Sequence, residues 1–257
     1  MSANTFLTYA YALVRAPRRP SLRGAPSGPP ESGGLRLLPV GEHLWLAACS
    51  VPARDYDAAA VRRGLEEIDW LASRAFAHEA VVEHFIGAPA LLPMPVLTLF
   101  TSDHRAMEYV AACRDRIEGL LEGVERRVQW VLRLALDAEA TARATVQRAA
   151  RPASGVAYLA RKRDLRDTGT ARLATARAEA GRVFDTLAGV AVDVRRRGPS
   201  GAEAAACSRL LLDAAFLVPA RRSSAFCATL RRRTRELGEA GIAVSLTGPW
   251  PAYDFVR

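Results

Sequence analysis

The chain has 257 residues and a mass of 27.8 kDa, long for one ordinary domain and comfortable for two. Residues that are 50% hydrophobic and 25% charged supply a core and exclude a wholly disordered chain, and no apolar run approaches the roughly 18 residues of a membrane-spanning helix. The net charge of +9 is unevenly placed: residues 1–136 carry 15 basic and 15 acidic side chains, whereas residues 137–257 carry 21 and 12.

Phe6 to Val14 alternates large and small apolar residues as an opening strand does. The start, Met1 to Tyr11, has no basic stretch leading into an apolar one, so no secretory signal is expected and the chain reads as soluble and intracellular. Residues 16–34 are rich in proline and glycine and predict a mobile loop. Leu35–Val40 and Leu44–Val51 read as two strands turning near Gly41. Tyr56–Phe85 reads as helical, either a hairpin or two consecutive helices, with Leu65, Ile68 and Leu71 on one apolar face. Ala90–Phe100 is a short apolar segment marked by Pro93 and Pro95, and Ser102 or Asp103 caps a helix running to about Leu121. Val128, Trp130, Leu132, Leu134 and Leu136 then keep a period of two, the clearest strand of the sequence.

This order predicts an α+β domain over 1–136, with helices on one side of a mainly antiparallel sheet, close to the ferredoxin-like pattern. The second domain, 137–257, is Arg-rich. In it Leu173, Ala176, Ala180, Val183 and Leu187 form one helical stripe, too short for a coiled coil, and Val190–Val194 and Leu210–Val218 read as strands. A helix from about Ser223 to Ala240 stops at Gly241, placed for a left-handed cap. Val244–Leu246 is a last short strand before Gly248-Pro249-Trp250-Pro251.

Motifs for chemistry are missing. Cys49, Cys113, Cys207 and Cys227 are far apart and sit among apolar residues, as buried thiols do in a reducing compartment. His78 and His84 are six residues apart, which misses the zincin spacing of four, so surface or capping roles are expected for them. There is no phosphate loop, no dinucleotide fingerprint and no nucleophile elbow; Ser154 and Ser200 lie in ordinary turn contexts. The reading is therefore of a protein that is not an enzyme, with no catalytic residue, metal site or cofactor. The basic clusters 161–163, 195–197 and 231–233 contain no interleaved aromatics, which disfavours nucleic acid as the partner and leaves solvated faces or a protein interface. A basic nucleic-acid-binding adaptor is the alternative kept.

The most distinctive segment is the tail. Gly248-Pro249-Trp250-Pro251-Ala252-Tyr253-Asp254-Phe255-Val256 joins rigid prolines to three aromatics, and is either pinned to the domain or presented to a partner. As partner-binding residues the sequence nominates Trp250, Tyr253 and Phe255, with Arg231 and Arg232 as the basic contribution.

Leu246 to Val256 resembles the ending of the gas vesicle protein L/F family. Tyr9-Ala10-Tyr11 is similar to that family's opening strand, Trp70 with Ala77–Val82 to its first-domain helix, and Leu91–Met94 with Thr98–Phe100 to its next strand. Ala157–Leu159 and Asp213–Val218 extend the likeness through the second half. The sequence departs at Ala12, where glycine is usual, at Pro95, where a basic residue is common, and at Asp213, where asparagine is common; the loop at 16–34 looks like an insertion. The resemblance implies two α+β domains with ferredoxin-like features. It also implies a non-enzymatic accessory or minor structural protein that helps nucleate or assemble the gas vesicle shell. Its implied partners are the small main shell protein and other gas vesicle accessory proteins, its place the gas vesicle in the cytoplasm, with no membrane. On this reading an exposed sheet edge pairs with shell-protein strands, the tail aromatics add an apolar contact, and the Arg-rich half steers acidic partners.

Overall fold

The computed structural model describes residues 6–137, 155–198 and 210–256. Cys207, Ser154 and Ser200, with the side chains of Tyr158, Arg161 and Lys162, lie outside the described residues. The chain divides into two compact units, Met1–Val128 with Trp250–Arg257, and Gln129–Pro249. The division thus falls inside the strand of Val128 to Leu136 rather than after it, and the tail groups with the first unit although it follows the whole of the second in sequence.

In the first unit, β1 (Phe6–Arg15), β2 (Arg36–Gly41), β3 (Leu44–Pro52) and β4 (Ala90–Phe100) form a sheet in the order β2-β3-β1-β4. β1 is antiparallel to β3 and β4, and β2 is antiparallel to β3, so β1 and β2 run the same way and need a crossover between them. The Pro/Gly-rich residues 16–35 supply it without a helix. This loop is tied down: Leu22 and Leu35 pack on the core, and the Gly33 N–H donates to the Ser50 carbonyl at 2.7 Å.

A bulge between Ala10 and Ala12 resets the alternation of β1, so that Tyr9, Tyr11, Ala12 and Val14 all join one core. That core is covered by the helices between β3 and β4: α1 (Ala53–Tyr56), α2 (Ala58–Gly64) and α3 (Ile68–His84), with Tyr56, Val81 and Val82 inside. Thr8, Leu13 and Arg15 face the other way, towards α4 (Asp103–Ala112) and α5 (Arg114–Val124). Helices therefore lie on both sides of this sheet, not on one. The cause is in β1 itself, where every residue from Thr8 to Val14 is buried and both faces demand cover.

Two helical expectations change. The helix expected from Asp103 to Leu121 breaks at Cys113, yet Ala106, Val110, Ile117, Leu121 and Val124 keep one apolar phase across the break, so periodicity alone could not reveal it. Leu65 and Ile68 point outward, because the core face of α3 is built later, from His78, Val81 and Val82.

The second unit follows the order β5 (Arg127–Leu136), α6 (Gly155–Ala188), β6 (Asp193–Arg196), β7 (Leu210–Pro219), α7 (Ser223–Glu239), β8 (Ile242–Trp250). Its sheet order is β6-β7-β5-β8, and the β-α-β-β-α-β succession is ferredoxin-like. Ala176, Ala180, Val183 and Leu187 of the α6 stripe pack with Leu132, Leu212, Phe216 and Phe226 in one core. Between the two helices, Arg233 donates to Glu179 at 2.7 Å. β6 starts three residues later than its expected position, since Val190 still closes the end of α6 through the Leu187 carbonyl. Gly241 has φ +72°, as its cap role requires. β8 runs from Ile242 through Trp250, well beyond the Val244–Leu246 expected, and Gly248 within it has φ +133°.

Candidate partner-binding site

Beside β4, an edge strand of the first sheet, lies a cavity of about 400 Å³. Its strand wall is Leu13 with Leu92 to Pro95, and its helical wall comes from α4 and α5 on either side of the break at Cys113, notably Tyr109, Ile117 and Leu120. The third wall is the tail, through Tyr253 and Val256. The tail holds this place because Pro251 and Ala252 are buried and the 3-10 turn Tyr253–Phe255 sets Tyr253 against the first core.

The β4 wall has an unusual backbone. Pro93 pairs with Ala12 and Thr98 with Ala10, so Met94–Leu97 bulge out of the ladder, and Leu97 takes φ +63°. Two side chains pin this excursion at its ends. His78 Nε2–H donates to the Met94 carbonyl at 3.1 Å, which leaves Nδ1 to accept from the Tyr9 hydroxyl at 3.0 Å, and Tyr9 Oη accepts from the Leu97 N–H at 3.0 Å. Burial depresses His78 to about 4, so the ring is neutral at pH 7 and keeps the single acceptor nitrogen that this relay uses. Burial likewise raises Tyr9 well above the ordinary tyrosine range. His78 is thus a core residue, in contrast to its expected surface or capping role. His84 does stay near the surface, within 3.0 Å of the Ser21 carbonyl.

Next to this clamp, Tyr11 Oη and Cys49 Sγ are 3.0 Å apart, and burial raises the Cys49 thiol. Cys49 is buried, whereas Cys113 and Cys227 are half-buried free thiols. Among the described residues, the only formal charge lining the cavity is Arg116, and neither a carboxylate nor a histidine lines it. The arrangement suits capture of an apolar group with a polar or acidic neighbour.

The nominated residues fall into two groups. Trp250, Tyr253 and Phe255 are half-buried in the docked tail, and only Tyr253 among them lines the cavity. Burial, with Glu79 and Glu83 close by, raises its hydroxyl above the tyrosine range. Arg231 and Arg232 are exposed on α7 of the second unit. Sequence reasoning noted Met94 and Pro95 without nominating them for a site and passed over Tyr109, Arg116 and Leu120; the one available signal was the proline-marked Leu92–Pro95 run, which announces an interrupted edge strand. Pro95, in place of the basic residue common in the resembling family, leaves this part of the wall uncharged. Asp213, another of the departures, meets Arg133 at 2.9 Å and Arg197 at 3.8 Å.

Residues 7–257 match the family described as Gas vesicle synthesis protein GvpL/GvpF. The chain is 32% identical over 254 residues to "Gas vesicle protein L" of Streptomyces sp. (strain CB03234), covering 97% of this chain and 92% of that protein. Its fold is similar to the crystal structure of the gas vesicle protein GvpF from Anabaena sp. PCC7120, with a TM-score of 0.68 at 15% identity over 98% of this chain and 96% of that one. It is also similar to that of GvpF from Microcystis aeruginosa, with a TM-score of 0.65 at 13% identity over 98% and 99% of the two chains.

Proposed function

The chain belongs to the gas vesicle synthesis protein GvpL/GvpF family, and from that premise we propose a non-enzymatic accessory or minor structural component that helps nucleate or assemble the gas vesicle shell. Its partners are the small main shell protein and other accessory proteins, and it acts at the gas vesicle in the cytoplasm. The observation that carries the reading is the apolar cavity walled by the tail, a built receptacle for an apolar group. A shell subunit with an apolar face aggregates if left free, so an assembly factor must shelter part of that face, and the cavity takes one bulky apolar side chain or a short apolar segment.

Strand addition is the second contact. β2 and β4 carry Pro39, Pro93 and Pro95, and β6 is short and bears Arg195 and Arg196, all features that blunt an edge. β8 has six residues, Ile242 to Thr247, without proline at the edge of its sheet, and is the edge suited to an added strand. The exposed Arg231 and Arg232 steer acidic partners towards this unit. No helix among the described residues is long and apolar enough to cross a membrane.

Co-expression with the small shell protein, nuclease treatment and affinity recovery at low and high salt test the proposal. Nuclease-resistant recovery is expected, reduced more than tenfold by Leu120→Glu, which places a charge in the cavity at a half-buried position. Wild-type recovery by that variant removes the cavity from the mechanism. Recovery of nucleic acid alone supports the basic adaptor instead.

A further inference from the structure

The solvent side of α3 carries a second surface, whose acidic end lies near Tyr253 of the tail. Ile68, Ala72 and Phe76 are spaced four apart, and Glu79 and Glu83 continue the same side of the helix, all within about 80° of one another around its axis. Ile68 is 81% exposed and Phe76 71%, and Leu65, just before the helix, is 54% exposed. Single exposed apolar residues are ordinary, but two in one helical stripe that passes into two carboxylates, with a third exposed just before the helix, are not.

Glu79 and Glu83 form a like-charge pair at i, i+4, a spacing that weakens a helix unless a cation sits between the two. Neither makes an ion pair among the described residues. Arg74, on the same helix, is committed elsewhere, its guanidinium 4.0 Å from the Trp70 ring centroid and 5.6 Å from that of Tyr56. Burial and the neighbouring Glu83 hold Glu79 above the ordinary carboxylate range. The surface is therefore short of a positive charge at one end and of apolar cover at the other.

We propose that this face of α3 docks an amphipathic cationic helix from another protein, seating aliphatic side chains on Leu65, Ile68 and Phe76 and a lysine or arginine between Glu79 and Glu83. Charge complementarity selects this occupant: an apolar helix flanked by acidic residues would meet the two carboxylates. The whole chain carries +9, so attraction by net charge alone favours anionic peptides, and a preference for cationic ones must arise locally.

The test uses two designed helical peptides of equal length and equal leucine content, one with lysine and one with glutamate on its polar face, titrated by fluorescence anisotropy against the full chain. The lysine peptide is expected to bind at least tenfold more tightly than the glutamate peptide. Phe76→Ser should lose at least tenfold in that affinity, and the double variant Glu79→Gln, Glu83→Gln should reduce the preference severalfold while leaving the circular dichroism spectrum unchanged. Equal binding of the two peptides, or lysine-peptide binding indifferent to both variants, overturns the proposal. So does concentration-dependent self-association of the chain alone that Phe76→Ser abolishes, since a second copy would then be the occupant.

Discussion

His78 Nε2 lies 3.1 Å from the carbonyl oxygen of Met94, so one imidazole on α3 fixes the strand excursion that walls the cavity. The ring serves only while neutral, because Nδ1 must accept from Tyr9.

Stability should therefore depend on this histidine in a defined pH window. Unfolded, His78 takes a proton near its ordinary 6.5; folded, it resists until about 4. The unfolded state binds more protons between those values, so stability falls as pH drops from about 6.5 towards 4, by on the order of 3 kcal/mol. Glu79, with a raised folded value, contributes with the opposite sign, so the comparison must be with a variant. Urea midpoints from pH 7.5 to 4.5 should fall steeply for the native sequence and less steeply for His78→Gln, itself about 1–3 kcal/mol weaker at neutral pH. Parallel profiles would reject the neutral-ring clamp.

Asp103 opens α4 and accepts from Arg36 Nε at 2.9 Å and from Thr8 Oγ1 at 2.7 Å, joining that helix to β2 and β1. The Arg36 hydrogen bonds hold its carboxyl below the usual range. Its contribution is present above an unfolded value near 3.8 and lost as pH falls below it, a window distinct from that of His78. Because the pair is partly exposed, Asp103→Asn should cost only about 1 kcal/mol at pH 7. A double-mutant cycle with Arg36→Gln measures the coupling, and additive losses would show that the pair does not act as a unit.

Gly248→Ala should destabilise by about 2 kcal/mol or more. A Cβ there would lie 2.8 Å from the Gln129 carbonyl oxygen and 3.0 Å from the Trp130 ring, on a residue already at φ +133°. Thermal unfolding reads the effect; a variant as stable as the native chain would mean that this backbone relaxes freely.

Asp213 is buried against two guanidinium groups, Arg133 and Arg197, on the second sheet. Asp213→Asn, which keeps shape and removes charge, should lose about 1–2 kcal/mol and make the stability less sensitive to salt. An unchanged denaturation midpoint would show that the amide serves these arginines as well as the carboxylate does.

The α+β class and most elements were legible because they are repeated signals: the period of two from Val128 to Leu136, the α6 stripe, the glycine stop at 241. What escaped depends on one residue or on distant partners. The bulge at Ala10 to Ala12 reverses which side chains share a face, and no local pattern announces it. The break at Cys113 preserves apolar phase, and Ile68 and Phe76 look like core until the helix is oriented. The tail's identity as a distinctive element could be read from its prolines and aromatics, but not that Tyr253 closes a cavity with Leu92 and Leu120, residues more than a hundred positions earlier.

That distance in sequence orders events during synthesis. The cavity's first two walls are made before β5 emerges, yet Tyr253 and Val256 follow the last strand of the second unit. A nascent or proteolysed chain that stops anywhere within 129–249 lacks the third wall of the cavity. Under the proposed function, capture at this site is then reserved for molecules translated past the second unit, so partial products would not compete for the partner.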